Sequence, residues 1–114
     1  MSQSDDILRK TYDFILYLIP QLNKFPRHQK FLLADRIETM ILDILENYIS
    51  AYYSKAENKR ILLVENNLKL EKMRFLIRLS HDMHFFSHQK YGVISGFIDE
   101  IGKMTGGWIK SLNK

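Results

Sequence analysis

Apolar residues recur at every third or fourth position through four separate stretches of this chain, and nowhere do they alternate at the two-residue period of a half-buried strand. That pattern commits the chain to helices. In the first stretch, roughly 5–22, Leu8, Tyr12, Ile15, Leu18 or Ile19, and Leu22 make one face, and Pro20 weakens its last turn. The second, roughly 26–53, repeats the spacing through Ala34, Ile37, Ile41, Ile44 or Leu45, Tyr48 and Tyr52. Pro26 suits its first helical position, where a missing N–H leaves nothing unpaired.

Ser54-Lys55-Ala56-Glu57 has the form of a capping box, so a tight helical hairpin is expected there. The third stretch, about 57–84, carries two neighbouring apolar stripes. Leu63, Leu70, Met73 and Ile77 form one; Leu68, Leu76, Leu79 and Met83 form the other. Two stripes exceed what a bundle interior needs, and the surplus points to a subunit interface. Phe85-Phe86-Ser87 reads as a break with Ser87 as the next N-cap, and Tyr91, Ile94, Ile98, Ile101, Trp108 and Leu112 line the last helix.

All five glycines follow residue 91. Gly92-x-x-x-Gly96 and Gly102-x-x-x-Gly106 space small residues one turn apart, so a close neighbouring helix is expected to offset their cost of about 1 kcal/mol each in helix propensity. Gly106-Gly107 either ends the helix or is passed through. The apolar Trp108, Ile109 and Leu112 beyond it favour continuation.

With 114 residues, the chain suffices for one modest core, so residues 1–114 are expected to form a single antiparallel up-down four-helix bundle. It contains no cysteine, which removes disulfides, thiolate nucleophiles and cysteine metal sites. The polar start, residues 1–6, does not read as a secretory signal, and no apolar run approaches the roughly 18 residues of a membrane span. A cytoplasmic location without membrane contact is the expectation.

The net charge of +4 is unevenly spread. Lys24, Arg27, Lys30 and Arg36 face one acid, Asp35, in segment 24–36; Lys69, Lys72, Arg74 and Arg78 face one, Glu71, in segment 69–78. The rest of the chain is slightly acidic, so the basic excess belongs to two short segments. If the second and third helices pack antiparallel about residues 55 and 56, Arg36 lies level with Phe75 and Lys30 with His81, which would gather Arg36, Arg74 and Arg78 in one zone. Two readings of the arginines stay open. They bind phosphate or an acidic partner, or they make helix salt bridges, Glu71 with Arg74 and Arg78 with Asp82.

His28, His81, His84 and His88 all fall in the half far from the hairpin turn. A metal site is not expected, because the break at 85–87 interrupts the three-and-four spacing and no E-x-x-H pair exists; added positive charge below neutral pH is the better reading. Catalysis finds no motif: there is no phosphate loop, no G-x-S-x-G and no H-E-x-x-H. Asp35, Glu38, Asp43 and Glu46 read as a solvated helix face. Tyr48, Tyr52 and Tyr53 read as core or subunit packing in preference to base stacking. No enzyme activity and no cofactor are expected.

Phe25-Pro26-Arg27, the segment from Leu70-Glu71-Lys72-Met73-Arg74-Phe75 to Leu79, and Asp99-Glu100-Ile101-Gly102-Lys103-Met104-Thr105-Gly106-Gly107-Trp108-Ile109 resemble the Avd family, the accessory variability determinants of diversity-generating retroelements. The likeness runs from about residue 23 to 110, and its last motif is the distinctive one. The wider group includes four-helix proteins encoded in intervening sequences of 23S ribosomal RNA genes.

The resemblance implies a four-helix bundle assembled into a homopentameric barrel. Its partners would be a reverse transcriptase and RNA, the template, or RNA/DNA, bound to support mutagenic cDNA synthesis. The family's basic pattern falls on Met73, Arg74, Phe75 and Arg78, so its contact positions map to Arg74 and Arg78, with Arg36, Lys72 and Lys30 adding to the field. Arg27 matches the Pro-Arg that opens the second helix. The competing readings are a ribosomal intervening-sequence protein and a bundle that binds a small ligand or metal.

Overall fold

The structure is a computed structural model describing residues 3–113, with side chains from residue 5 onward; Met1 and Ser2 of the polar N-terminal stretch, and Lys114, lie outside the described residues. Helix α1 spans Gln3–Leu22, α2 is the single turn Arg27–Gln29, and a π-helical turn, Lys30–Ala34, leads without interruption into α3, Asp35–Tyr52. Helix α4 spans Ala56–Asp82 and α5 spans His88–Ser111. No strand occurs among the described residues.

Each long helix packs on two others: α1 on α3, α3 on α4, α4 on α5 and α5 on α1, which leaves α1 diagonal to α4. This is the square, antiparallel four-helix arrangement that the periodicity predicts, with α2, the π turn and α3 acting as one rod. The register also agrees with expectation. Asn66 Nδ2 donates to the Ile44 carbonyl at 2.9 Å, and Asn47 Nδ2 donates to Asn66 Oδ1 at 2.9 Å, which levels the middles of α3 and α4.

The core runs the length of the bundle. Ile37, Ile41, Ile44 and Tyr48 of α3 face Leu63, Leu70, Met73 and Ile77 of α4 and Ile94, Ile98, Ile101 and Trp108 of α5. At one level Phe14 of α1 stacks on Phe97 of α5 with centroids 5.1 Å apart, and at another Tyr48 stacks on Trp108 at 6.4 Å. Helix α5 continues through Gly106-Gly107, as the apolar residues beyond them require.

Several local expectations are corrected. The buried face of α1 runs through Ile7, Thr11, Phe14, Leu18 and Leu22, with Leu8 and Ile15 on its flank and Tyr12 mostly exposed. Pro26 is the N-cap, in an extended conformation, and its carbonyl accepts from the N–H groups of Gln29 and Lys30, so Arg27 takes the first helical position. The capping box does not form. Ser54 Oγ donates back to the Ser50 carbonyl at 2.7 Å and accepts from Asn58 Nδ2, which leaves Lys55 as an N-cap without a side-chain bond.

The glycine expectation also fails within the chain: a Cβ built at Gly92, Gly96, Gly102 or Gly106 meets nothing within 4 Å. No intrachain helix approaches closely there. Of the three tyrosines near the hairpin, Tyr48 is core, whereas Tyr52 and Tyr53 are exposed and touch each other edge to face.

Helix α4 stops two residues earlier than its apolar pattern suggests. The Phe85 N–H bonds the Ser80 carbonyl at 2.8 Å and the His84 N–H bonds the His81 carbonyl at 2.9 Å, a Schellman closure with His84 in the left-handed region at φ 67°. The closure turns Phe85 and Phe86 inward onto Phe25, at 5.2 and 5.0 Å between centroids. Ser87 Oγ then accepts from the Lys90 N–H and starts α5, as predicted.

Candidate nucleic-acid and partner interface

The six candidate cations do not share one zone. Residues one helical turn apart stack on a face, whereas Lys72 and Arg74 are two apart and point roughly 200° from each other around α4. Arg36 and Lys72 therefore meet on the α3 side of α4, and Arg74 turns to α5. The antiparallel register gives the correct level and says nothing of this rotation.

On the α3 side a cleft of about 390 Å³ is lined by Arg36, Lys69 and Lys72, by Asp35 and Asp43, and by Phe31, Met40 and Leu76. Lys69 bonds Glu65 at 3.3 Å, but neither Arg36 nor Lys72 makes an ion pair among the described residues. The π turn shapes the cleft mouth. Its wider backbone ring, closed by the Asp35 N–H on the Lys30 carbonyl, leaves Phe31 74% and Leu32 68% exposed while Leu33 and Ala34 enter the core.

On the α5 side Arg74 is already engaged. Its Nε lies 3.3 Å from Glu71 Oε1 and its Nη1 bonds Asp99 Oδ1, so the guanidinium is held still more firmly protonated, chiefly by the bond to Asp99. Arg78 is freer: it is mostly exposed, and its Nε reaches Asp82 Oδ2 only at 3.9 Å. Both salt bridges anticipated from helical spacing are thus present, and Asp99 is an additional partner that no local spacing could reveal.

Arg27 and Lys30 belong to a third region, the end of the bundle formed by the α1–α2 and α4–α5 turns. The Phe25, Phe85 and Phe86 contacts bind these turns together. Lys24 and Lys90 come near one another there, and the Lys24 ammonium pushes the Lys90 ammonium below the usual lysine range. His88 Nδ1 lies 3.3 Å from His81 Nε2, His81 Nδ1 lies 3.1 Å from Asp82 Oδ1, and the His81 ring stacks on Tyr91 at 4.3 Å. Among the described residues, no group of three or more His, Asp or Glu is placed to share a metal ion.

The second apolar stripe of α4 is left uncovered by the bundle. Leu68, Leu79 and Met83 are exposed, together with Ile61, Val64 and Phe75 on the same outer face, and only Leu76 is partly covered. Phe75 is 68% exposed, an unusual position for a phenylalanine beside two arginines. Among the described residues, no helix is long and apolar enough to cross a membrane.

Among curated proteins, none matches the chain. A model of the bAvd-like protein family matches residues 7–112, which takes in α3, α4 and α5 whole, α1 from Ile7 onward, both basic segments and every residue of the Avd resemblance. With nearly the whole bundle inside that match, the chain belongs to the bAvd-like family of accessory proteins.

Proposed function

We propose that this protein is a non-enzymatic adaptor of a diversity-generating retroelement, a homo-oligomeric barrel that binds the reverse transcriptase and its template RNA and supports mutagenic cDNA synthesis. The match over residues 7–112 carries the reading. The chemistry of the surface supports it: Arg36, Lys72, Lys30 and Arg27 lack carboxylate partners among the described residues and are free to meet phosphates or acidic side chains. The uncovered face of α4 supplies the apolar area for self-association. A ring of five, the family's assembly, would repeat each cationic region five times, so weak single contacts add through multivalency.

Arg74 and Arg78 take unequal parts in this proposal. Arg78 is available to a partner directly. Arg74 must exchange Asp99 or Glu71 for the partner's anion, which makes its contribution smaller than an unpaired arginine's.

Co-expression with a diversity-generating retroelement reverse transcriptase, followed by co-purification at rising salt, tests the reading. Retention at low salt and loss at high salt is the expected result. The Arg74→Ala, Arg78→Ala double variant should keep its oligomer mass and helicity and retain less polymerase. A polymerase that never co-purifies would overturn the proposal.

A further inference from the structure

We infer that the end of the bundle built from the α1–α2 and α4–α5 turns is a single-stranded RNA site, separate from the Arg36–Lys72 cleft, with Lys24, Arg27 and Lys90 meeting phosphates and the exposed rings of His28, His84 and His88 receiving bases. The inference rests on the adaptor reading above and assigns its RNA to one place on the molecule.

Three independent features converge at this end. Neither turn segment, residues 23–30 or 83–90, contains a carboxylate. The nearest one in sequence, Asp82, is occupied by His81 and approached by Arg78. Lys24, Arg27 and Lys90 therefore make no ion pair among the described residues.

The turns that carry two of these cations are also tied together. Phe25 packs on both Phe85 and Phe86, which keeps the two turns, and with them Lys24 and Lys90, near one another. An anion placed between those ammonium groups would be attracted by both. A phosphodiester chain provides one negative charge per nucleotide and so can satisfy several cations in succession.

The rings decide for a single strand. His28, His84 and His88 are exposed. Unpaired bases stack on such rings, whereas a duplex keeps its bases inside and offers only phosphates and sugars. The cleft beside α3 has two carboxylates, Asp35 and Asp43, on its walls with Arg36 and Lys72, against the one, Asp82, that lies beside His84 and His88 at this end.

The test is a titration of the full-length protein against a fluorescein-labelled oligouridine at several salt concentrations, read by anisotropy. For Lys24→Ala with Lys90→Ala, the affinity should fall at least about tenfold near physiological salt, and the slope of log affinity against log salt should flatten by roughly 1.4, at about 0.7 per phosphate contact on a single strand. The paired substitutions Arg36→Ala and Lys72→Ala delete the same charge from the cleft and should cost much less. Unchanged melting temperature in both variants confirms that folding is not being read.

Equal losses in the two variants, or unchanged binding by the Lys24, Lys90 variant, would overturn the assignment. So would equal affinity for a duplex RNA of the same length, or equally strong competition by polyglutamate, which would make the end a protein-docking surface. If these failures occur while the reverse transcriptase still co-purifies, the adaptor reading stands and only the RNA site is lost. If wild type binds neither oligouridine nor polymerase, the adaptor reading itself fails.

Discussion

The Tyr48 hydroxyl donates to Thr105 Oγ1 across 2.7 Å in the centre of the bundle, where both side chains are wholly buried. The direction follows from counting protons: Thr105 has one, and it goes to the Ile101 carbonyl at 2.7 Å. Burial drives the Tyr48 phenol up from 10 to about 12, against smaller opposing effects of its bonds with Thr105 and Asn66. The folded-state value lies above the unfolded one, so this stability is fully present below pH 10 and is lost as pH rises through about 12. The loss amounts to roughly 2–3 kcal/mol. Urea unfolding at pH values of about 8, 10 and 11 should show the decline in wild type and a shallower one in Tyr48→Phe; parallel curves would refute it.

Thr11 offers a stabilising change. Its side chain is fully buried on α1 and its Oγ1 has no hydrogen-bond partner. An unsatisfied buried hydroxyl costs about 1–3 kcal/mol, and valine has nearly the same shape without the polar atom. Thr11→Val should therefore raise stability by about 1 kcal/mol in denaturant titration. A destabilised variant would mean that the hydroxyl has a partner, such as a buried water.

The same threonine explains why the sequence sets the first half of the α1 face one residue off, while Leu18 and Leu22 are placed correctly. A polar residue in the middle of Ile7, Thr11, Phe14 and Leu18 makes the neighbouring set with Leu8, Tyr12 and Ile15 look more continuous, although the two sets differ by a rotation of one residue. Elements set by strong local chemistry are legible: the Ser87 cap, the break before it, and the passage of α5 through Gly106-Gly107. Ser54 is not, because its hydroxyl has a second acceptor in the last turn of α3 and local spacing cannot rank the two. The cationic candidates show the same limit at longer range. Asp99 lies 25 residues from Arg74, and Lys24 comes near Lys90 across turns that three phenylalanines join.

The left-handed turn at His84 gives a third prediction. A non-glycine residue at φ 67° carries a steric cost of roughly 1–2 kcal/mol, of which the extra flexibility of an unfolded glycine returns part. His84→Gly should stabilise the fold by up to about 1 kcal/mol and leave both Schellman bonds in place. Thermal unfolding checks the gain. A lower melting temperature would show that the imidazole makes a contact worth more than the strain.

The uncovered stripe of α4 gives the last prediction. Leu68 and Phe75 lie on the outer face, 57% and 68% exposed, where neither contributes to the interior of its own bundle. Charging them should therefore leave the fold alone: Leu68→Lys with Phe75→Lys is expected to change unfolding free energy by no more than about 0.5 kcal/mol. If this face joins subunits, the same variant loses the burial of two large apolar side chains at every contact, on the order of 1–2 kcal/mol each, and gains like charges near Arg74 and Arg78. Light scattering should then report the 13.6 kDa chain in place of an oligomer, with helicity by circular dichroism unchanged. An oligomer that survives the double substitution would place the subunit contact on another face, and a variant that loses helicity would show these side chains to be part of the fold.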